Sequence, residues 1–356
     1  MHGVASAQPP SDQVFKVGVK TQIVTPPEPY DWRGARTHAL VTTVWYPASA
    51  DADEKPQRVG APDRPPVFEA GMAAQAAPMA AAPPGRFPLL VMSHGTGGTA
   101  LSLAWLGTAL AARGYVVAAV NHPGNTALED YTVQGFTLWW LRAQDLSRVS
   151  DALLADATFG PRIDAGRIGA LGFSLGGYTV MEIAGAITSR TLLQQVCGGN
   201  QAPTMCKGPP EFPDLDVRAA ELVQSDPTFL TALAGASQSY RDPRVRAVLA
   251  IAPALGPALT PPSLAAIAIP VALVAATDDA VVQADLNAKF IAAHIPHAQL
   301  TLLPGGVGHY TFLDVCTPAG RDELAQLCVD APGVDRAAVH DAVIALATGF
   351  FAAHLR

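Results

Sequence analysis

A glycine-flanked serine is the feature of this sequence that points most directly to chemistry. Residues 172–176 read Gly-Phe-Ser-Leu-Gly, and Gly177 follows them. An apolar run at 167–172 leads into the motif, and helical periodicity begins at Leu175. A strand, a sharp turn and a helix in this order hold a serine hydroxyl above the edge of a sheet, beside the positive end of the helix. The context therefore predicts that Ser174 is a nucleophile rather than part of an ordinary glycine-rich turn.

Two aspartates are candidates for the acid that such a serine requires. A serine hydroxyl is a weak nucleophile at neutral pH, so it needs a base and an orienting acid. A serine on such a turn takes both from later in the chain, first the acid and then the histidine. The apolar run 270–276 leads into Asp278 and Asp279, and either carboxylate could serve. Turn chemistry favours Asp279, because the first aspartate more naturally hydrogen-bonds the turn itself.

The predicted base is His309. It is the first titratable residue after the last apolar run, 298–303, and a glycine-rich loop separates the two. Its imidazole could take the proton of Ser174 and return it to the leaving group. His122 is the alternative base, but it precedes Ser174 and so breaks the expected order.

Backbone N–H groups are expected to stabilise the oxyanion of the reaction. One belongs to Leu175, directly after the nucleophile, and the other to Thr96, within the sequence Ser-His-Gly-Thr-Gly-Gly at 93–98. The chemistry implies no metal and no organic cofactor.

Four side chains are candidates for substrate binding: His122, Trp105, Trp139 and Tyr310. His122 follows a strand and should border the same cleft, and Tyr310 adjoins His309. The tryptophans could line an apolar acyl or aromatic pocket, with core packing as the alternative.

Strand-like and helix-like runs alternate along the chain, which is typical of a mostly parallel α/β sheet with helices on both faces. Eight strands are predicted, at 15–23, 39–46, 87–92, 115–121, 167–172, 245–252, 270–276 and 298–303. Helices are predicted at 101–113, 138–157, 175–188, 284–295 and 335–354. Residues 47–84, rich in Ala and Pro, are interpreted as a long surface connection. Residues 190–242 break the alternation and are interpreted as a lid inserted in a single domain spanning 1–356, with weak helices near 217–224 and 226–234.

Composition argues against several classes of protein. Hydrophobic residues make up 49% of the 356, so the chain is not disordered. The net charge is −7 and no basic cluster stands out, which argues against a nucleic-acid partner. No apolar run approaches the ~18 residues of a membrane helix. The oligomeric state stays open, with a monomer as the working expectation.

Two features indicate a secreted or periplasmic protein. Residues 5–7 read Ala-Ser-Ala, which matches a signal-peptidase site, and suggest a mature chain to which Met1 was added; a loose Ala-rich terminus is the alternative. Four cysteines allow three pairings, and the local ones join Cys197 to Cys206 and Cys316 to Cys328. A zinc site would need the tighter Cys-x-x-Cys or Cys-x-x-His spacing that these residues lack. Such pairs favour an oxidising compartment.

Four stretches, 87–95, 114–126, 169–178 and 309–313, resemble the serine α/β-hydrolases. Within them the chain is similar to the bacterial branch often labelled predicted dienelactone hydrolases, related to platelet-activating-factor acetylhydrolases and to polyester-cleaving esterases. The resemblance implies an α/β-hydrolase fold and the triad Ser174, Asp279 and His309. Acids of this branch lie in a Gly-x-x-Asp-x-Val-Val pattern, in which Ala276 replaces the glycine here. True dienelactone hydrolases use a cysteine nucleophile, so that activity does not carry over.

The expected function is hydrolysis of a carboxylic ester through an acyl-enzyme, on a small short-chain, lipid-like or polymeric substrate. Acyl transfer to an acceptor other than water would use the same triad. A non-catalytic, ligand-binding protein is the third possibility, which the presence of all three triad residue types disfavours.

Overall fold

Residues 14–61, 63–81, 85–199 and 206–356 are described by the computed structural model. Within them, eleven strands form one mixed sheet: β1 (Lys16–Val24), β2 (Leu40–Ala48), β3 (Lys55–Val59), β4 (Phe68–Gln75), β5 (Phe87–Ser93), β6 (Val116–Val120), β7 (Ile163–Phe173), β8 (Val245–Ile251), β9 (Val271–Ala276), β10 (Gln299–Leu303) and β11 (Val315–Cys316). Their order is β10-β9-β8-β7-β5-β6-β2-β1-β4-β11, and β3 pairs with β4. The predicted α/β fold class is confirmed.

Strands β5 to β10 run parallel to one another and form one side of the sheet, up to the edge strand β10. All residues of β5, β6 and β9 are buried, as expected for strands covered on both faces. The carboxyl ends of these strands meet at one edge of the sheet, so the loops that follow β5, β7, β9 and β10 lie together there.

Helices cover both faces of the sheet. They are α1 (Ala104–Ala111), α2 (Val133–Thr137), α3 (Arg142–Ala155), α4 (Leu175–Ala184), α5 (Arg190–Cys197), α6 (Leu215–Ser225), α7 (Pro227–Ala234), α8 (Pro261–Ala265), α9 (Ala288–His294), α10 (Pro318–Glu323), α11 (Ala325–Cys328) and α12 (Arg336–His354). One apolar cluster joins α3, α4 and α9 to Leu89 and Val91, and another joins α1 and α12 to Leu90 and Met92. Because successive side chains of a strand point to opposite faces, β5 contributes to both layers of the core.

All eight predicted strands are present, but the interpretation of residues 47–84 as a surface connection is wrong. This segment contains β3 and β4, which pair as an antiparallel hairpin. Strand β4 is rich in Ala, Gly, Glu and Gln, residue types that strands use rarely. Its small buried residues Ala70 and Ala73 share an apolar cluster with α1, so tertiary contact rather than local preference makes it a strand.

The chain between β10 and β11 links the two ends of the strand order. Strand β10 pairs with β9 at one end, whereas β11 pairs with β4 at the other, so residues 304–314 pass from one edge of the sheet to the other. We call residues 304–314 the strap. It includes a short 3₁₀ helix, His309–Phe312. Just beyond it, the Cys316–Cys328 disulfide closes a short loop.

The described residues between 190 and 242 form α5, α6 and α7, which lie between α4 and β8 in the chain and outside the sheet. Phe212, Phe229 and Leu233 of this segment pack with Phe136 and Trp140 in an apolar cluster of their own. Asp226 caps α7 by accepting hydrogen bonds from two backbone N–H groups, which fixes the turn between α6 and α7.

Both predicted disulfides, Cys197–Cys206 and Cys316–Cys328, are present. The Ala-Ser-Ala site predicted at 5–7 lies outside the described residues. Helix α12 is long and apolar enough to cross a membrane by length and composition alone, which differs from the expectation that no apolar run approaches that length. Its residues Val343, Ala347 and Phe351 are buried against the sheet, an arrangement common in helices that cover a sheet.

Candidate active site

Ser174 lies on the sharp turn between β7 and α4, with φ 56° and ψ −118°. This left-handed φ is unusual for a residue with a Cβ and marks a strained backbone. The turn is held by a hydrogen bond from the Ser174 N–H to the carbonyl oxygen of Ile251, at 2.9 Å. A Cβ at Gly176 would overlap the carbonyl oxygen of Ser93, and a Cβ at Gly172 would overlap that of Gly176. The glycines of the motif therefore allow the strand, turn and helix to approach each other.

The structure brings Ser174, His309 and Asp279 together. Ser174 Oγ lies 2.9 Å from His309 Nε2, and His309 Nδ1 lies 2.7 Å from Asp279 Oδ2. The three residues are 7%, 5% and 4% exposed, so water has little access to these hydrogen bonds. An Nδ1–H that donates to the carboxylate leaves Nε2 free to accept the proton of the serine.

The two candidate acids have different partners. The second oxygen of Asp279, Oδ1, accepts hydrogen bonds from the backbone N–H groups of Val281 and Val282, at 2.9 and 2.7 Å. Asp278 is exposed, and its Oδ2 accepts a hydrogen bond from the Gly306 N–H at 3.0 Å. The geometry thus joins Asp279 to His309 and leaves Asp278 to the turn.

The loop after β5 packs directly against the nucleophile. A Cβ at Gly95 would lie 3.3 Å from the Cβ of Ser174. Among the described residues, neither the Thr96 N–H nor the Leu175 N–H has a hydrogen-bond acceptor. The Leu175 N–H is also one of the free donors at the start of α4. Two free N–H groups beside a serine can stabilise an oxyanion.

Tyr310 and Trp139 lie at two half-buried positions. The ring of Tyr310 is 5.4 Å from that of His309, and burial, reinforced by Glu211 and Asp279, raises the pKa of its hydroxyl. Trp139 lines a cavity of about 310 Å³ with Leu193 and Val223. Tyr310 is therefore adjacent to the reactive groups, whereas Trp139 borders the segment 190–242.

The structure does not bring His122 or Trp105 to the surface of the cleft. His122 is fully buried, and its ring nitrogens lie 2.8 Å from Ser93 Oγ and 2.7 Å from Asp145 Oδ2. Trp105 stacks on His340, and its indole N–H donates to the carbonyl oxygen of Phe312 at 3.0 Å. With their polar atoms already paired inside the protein, both side chains support the site rather than line it.

A buried charged cluster behind the β5 loop is the feature that the sequence did not reveal. Arg33 forms a salt bridge with Asp145 at 2.8 Å, and Arg142 donates a hydrogen bond to the carbonyl oxygen of His94. Burial lowers the pKa of Arg142 to about 9 and holds the pKa of His122 well below its usual value. His122 is therefore neutral at physiological pH. The position of His122 directly after a strand was the only feature of the sequence that pointed toward this cluster.

No group of three or more His, Cys, Asp or Glu side chains suited to a metal ion occurs in the part of the chain that the structure describes.

A sequence profile described as "Alpha/beta hydrolase family" matches residues 90–327, more than half of the chain. The chain belongs to the alpha/beta hydrolase family. Over 97 residues this alpha/beta hydrolase is 35% identical to cutinase est1 of Thermobifida alba, and the aligned region covers 27% of this chain and 29% of that relative. Over 100 residues it is 33% identical to a bis(hydroxyethyl) terephthalate hydrolase of Streptomyces coelicolor, covering 28% of the chain and 29% of that relative. The matched region thus spans less than a third of either relative.

A solved structure, a ferulic acid esterase from Streptomyces cinnamoneus, shares the fold of this alpha/beta hydrolase. The TM-score is 0.62 at 22% sequence identity, and the match covers 98% of this chain and 92% of the other. At this identity the likeness establishes the fold alone.

Proposed function

We propose that this alpha/beta hydrolase is a serine carboxylic ester hydrolase. The observation that carries the proposal is the continuous hydrogen-bond path from Ser174 Oγ through His309 to Asp279, at 2.9 and 2.7 Å, on a strained turn. A path of this kind raises the nucleophilicity of a serine that would otherwise be inert at neutral pH.

In the proposed reaction, Ser174 Oγ attacks the ester carbonyl while His309 Nε2 takes its proton. The N–H groups of Thr96 and Leu175 stabilise the oxyanion of the tetrahedral intermediate. His309 then gives the proton to the leaving alcohol, and an acyl-enzyme remains. Water, deprotonated by His309, releases the acid and restores the serine. Asp279 holds the imidazole in place and stabilises its charged form throughout.

The proposed substrates are short-chain, lipid-like or polymeric esters, whose alcohol or acid part is apolar. The names of the relatives, a cutinase and a terephthalate ester hydrolase, support an ester of this kind. Tyr310, next to His309, is the proposed contact for the substrate, and Trp139 borders an apolar cavity.

We also propose that the chain is a single catalytic domain in which residues 190–242 act as a lid. Phe212 and Phe229 pack against Phe136 in an apolar cluster separate from the two that cover the sheet, which supports an element that lies outside the main core. Two disulfides support a location outside the cytoplasm, secreted or periplasmic.

Covalent labelling with a fluorophosphonate tests the mechanism. We expect one adduct on Ser174, loss of hydrolysis of p-nitrophenyl esters in step with labelling, and neither labelling nor hydrolysis in Ser174→Ala. A Ser174→Ala protein that keeps a tenth of the wild-type turnover would refute the proposal. A wild-type protein that is neither labelled nor active would favour the ligand-binding alternative.

A second experiment separates hydrolysis from acyl transfer. Products are measured with p-nitrophenyl esters of increasing acyl length, with and without a primary alcohol in the buffer. We expect free acid as the main product in both conditions. A predominance of the new ester when alcohol is present would instead identify an acyltransferase.

A further inference from the structure

His94 fixes the orientation of one peptide group of the proposed oxyanion hole. Its ring Nδ1 lies 2.7 Å from the carbonyl oxygen of Gly95, and the Gly98 N–H donates to the same oxygen at 3.3 Å. The Gly95 carbonyl and the Thr96 N–H belong to one planar trans peptide group, so they point in opposite directions. Donors that hold the carbonyl on the protein side therefore turn the Thr96 N–H toward the other side.

The hydrogen-bond directions around His94 follow from its partners. The backbone N–H of His122 donates to His94 Nε2 at 3.2 Å, so Nε2 carries no proton. The neutral ring then carries its proton on Nδ1, which donates to Gly95. Burial, with Arg142 nearby, holds the pKa of His94 well below its usual value, which keeps the ring in this neutral form.

The charged cluster holds both the backbone and the ring of His94. Arg142 donates to the carbonyl oxygen of His94 and, at 3.3 Å, to Ser93 Oγ. Ser93 donates onward to His122 Nε2 at 2.8 Å, and His122 Nδ1–H donates to Asp145 at 2.7 Å. Ser93, His122 and Asp145 thus repeat the connectivity of a Ser-His-Asp triad, but all three are fully buried.

We propose that His94 is a positioning residue that aims the Thr96 N–H at the oxyanion, and that the buried Asp145, His122, Ser93 and Arg142 hold His94 in place. The proposal rests on the proposed ester hydrolysis at Ser174. The second Ser-His-Asp arrangement, closed to substrate, acts on the reaction only through the loop at 94–98.

A matched pair of variants tests the donor of His94. Leu and Asn have the same number of side-chain heavy atoms and both branch at Cγ, but only the amide of His94→Asn can replace the Nδ1–H donor. We expect His94→Leu to lower kcat by roughly tenfold to a hundredfold with little change in KM, less than the ~10²–10³ for complete loss of an oxyanion donor. His94→Asn should recover most of this loss.

The affinity for phenylboronic acid reports on the oxyanion hole itself, and it would not change if His94 had a purely structural role. Its adduct with Ser174 is tetrahedral and carries an oxygen where the oxyanion forms. We expect its affinity to fall in His94→Leu by the same factor as kcat/KM, and to be nearly normal in His94→Asn. Equal kcat in both variants, or unchanged boronate affinity in His94→Leu, would overturn the proposal.

A second variant keeps the test valid if His94→Leu does not fold. Ser93→Ala breaks the path from His122 to Arg142, and Ser150→Ala is its control. Ser150 is similarly buried and lies on α3, and among the described residues its hydroxyl donates only to the carbonyl oxygen of Leu146. We expect kcat and boronate affinity to fall together, by roughly threefold or more, in Ser93→Ala only. Equal values in the two alanine variants would overturn the role of the cluster. A wild-type protein that neither hydrolyses esters nor binds the boronate would refute the proposed function instead.

Discussion

Asp279→Asn should almost abolish turnover, for a reason that the contacts of the carboxylate make specific. Asp279 Oδ1 accepts hydrogen bonds from two backbone N–H groups, those of Val281 and Val282. An amide nitrogen cannot accept them, so the oxygen of the new asparagine takes this place and its NH₂ group faces His309 Nδ1. The nitrogen Nδ1 must then accept a hydrogen bond, and the ring proton moves to Nε2, which faces Ser174.

A histidine in that tautomer cannot take the proton of Ser174. The expected loss is on the order of 10⁴ in kcat, or about 5 kcal/mol of transition-state stabilisation. The fold should survive, because both backbone hydrogen bonds to Oδ1 are kept. Asp278→Asn is the matched control: its exposed side chain still offers an oxygen to the Gly306 N–H, so kcat should change less than threefold and stability by about 1 kcal/mol at most.

The assay is kcat with p-nitrophenyl butyrate at neutral pH, together with the melting midpoint of each variant by circular dichroism. The reasoning fails if Asp279→Asn keeps more than about a hundredth of wild-type turnover. If the loss falls on Asp278→Asn instead, the acid is Asp278. If both variants are fully active, the acid lies elsewhere in the chain.

Three further predictions concern two glycines, one disulfide and one buried carboxyl group. Gly176→Ala should give an inactive or misfolded protein, because its Cβ would overlap the carbonyl oxygen of Ser93. Gly349→Ala, with open space around it in α12, should instead raise the free energy of unfolding by up to ~1 kcal/mol. Soluble yield, activity and urea unfolding of the two variants check this pair. Replacing both Cys316 and Cys328 by Ala should lower the free energy of unfolding by ~3 kcal/mol, since the bridge closes a loop with a sequence separation of 12; an unchanged urea midpoint would contradict it. Burial raises the pKa of Glu182 from 4.5 to about 8. The folded state therefore holds a proton that the unfolded state loses, and the free energy of unfolding should fall between these pH values by up to about 1.4 kcal/mol per pH unit; urea titrations across this range should show a shallower slope in Glu182→Gln.

The central strands and the residues of the site could be predicted because each leaves a local signal. Strands buried on both faces are continuous apolar runs, and Ser174 and Asp279 follow such runs within a few residues. His309 follows the apolar run of the edge strand β10, after a glycine-rich loop. The order of these residues along the chain then suggested their roles. What the spacing could not decide was Asp278 against Asp279, because adjacent aspartates differ only in which backbone groups reach them.

The strand β4 and the charged cluster leave no such signal. Ala70 and Ala73 occur in a strand because α1 packs close to them, a contact between segments far apart in sequence. Asp145 has the pattern of an ordinary polar residue in the helix α3, yet it pairs with Arg33, 112 residues earlier. A buried ion pair between distant segments is set by tertiary structure, and neither residue type nor periodicity indicates its partner.

The strap has a consequence for how heat inactivates the protein. His309 lies on the strap, which joins β10 at one edge of the sheet to β11 at the other. Its position therefore depends on the pairing of both edge strands. Strand β11 is two residues long and pairs with the hairpin of β3 and β4, the outermost and most exposed part of the sheet. Edge strands of this kind separate at lower free-energy cost than a core does. Thermal inactivation should therefore begin below the midpoint of global unfolding and reverse on cooling, as the base moves away from Ser174 and returns.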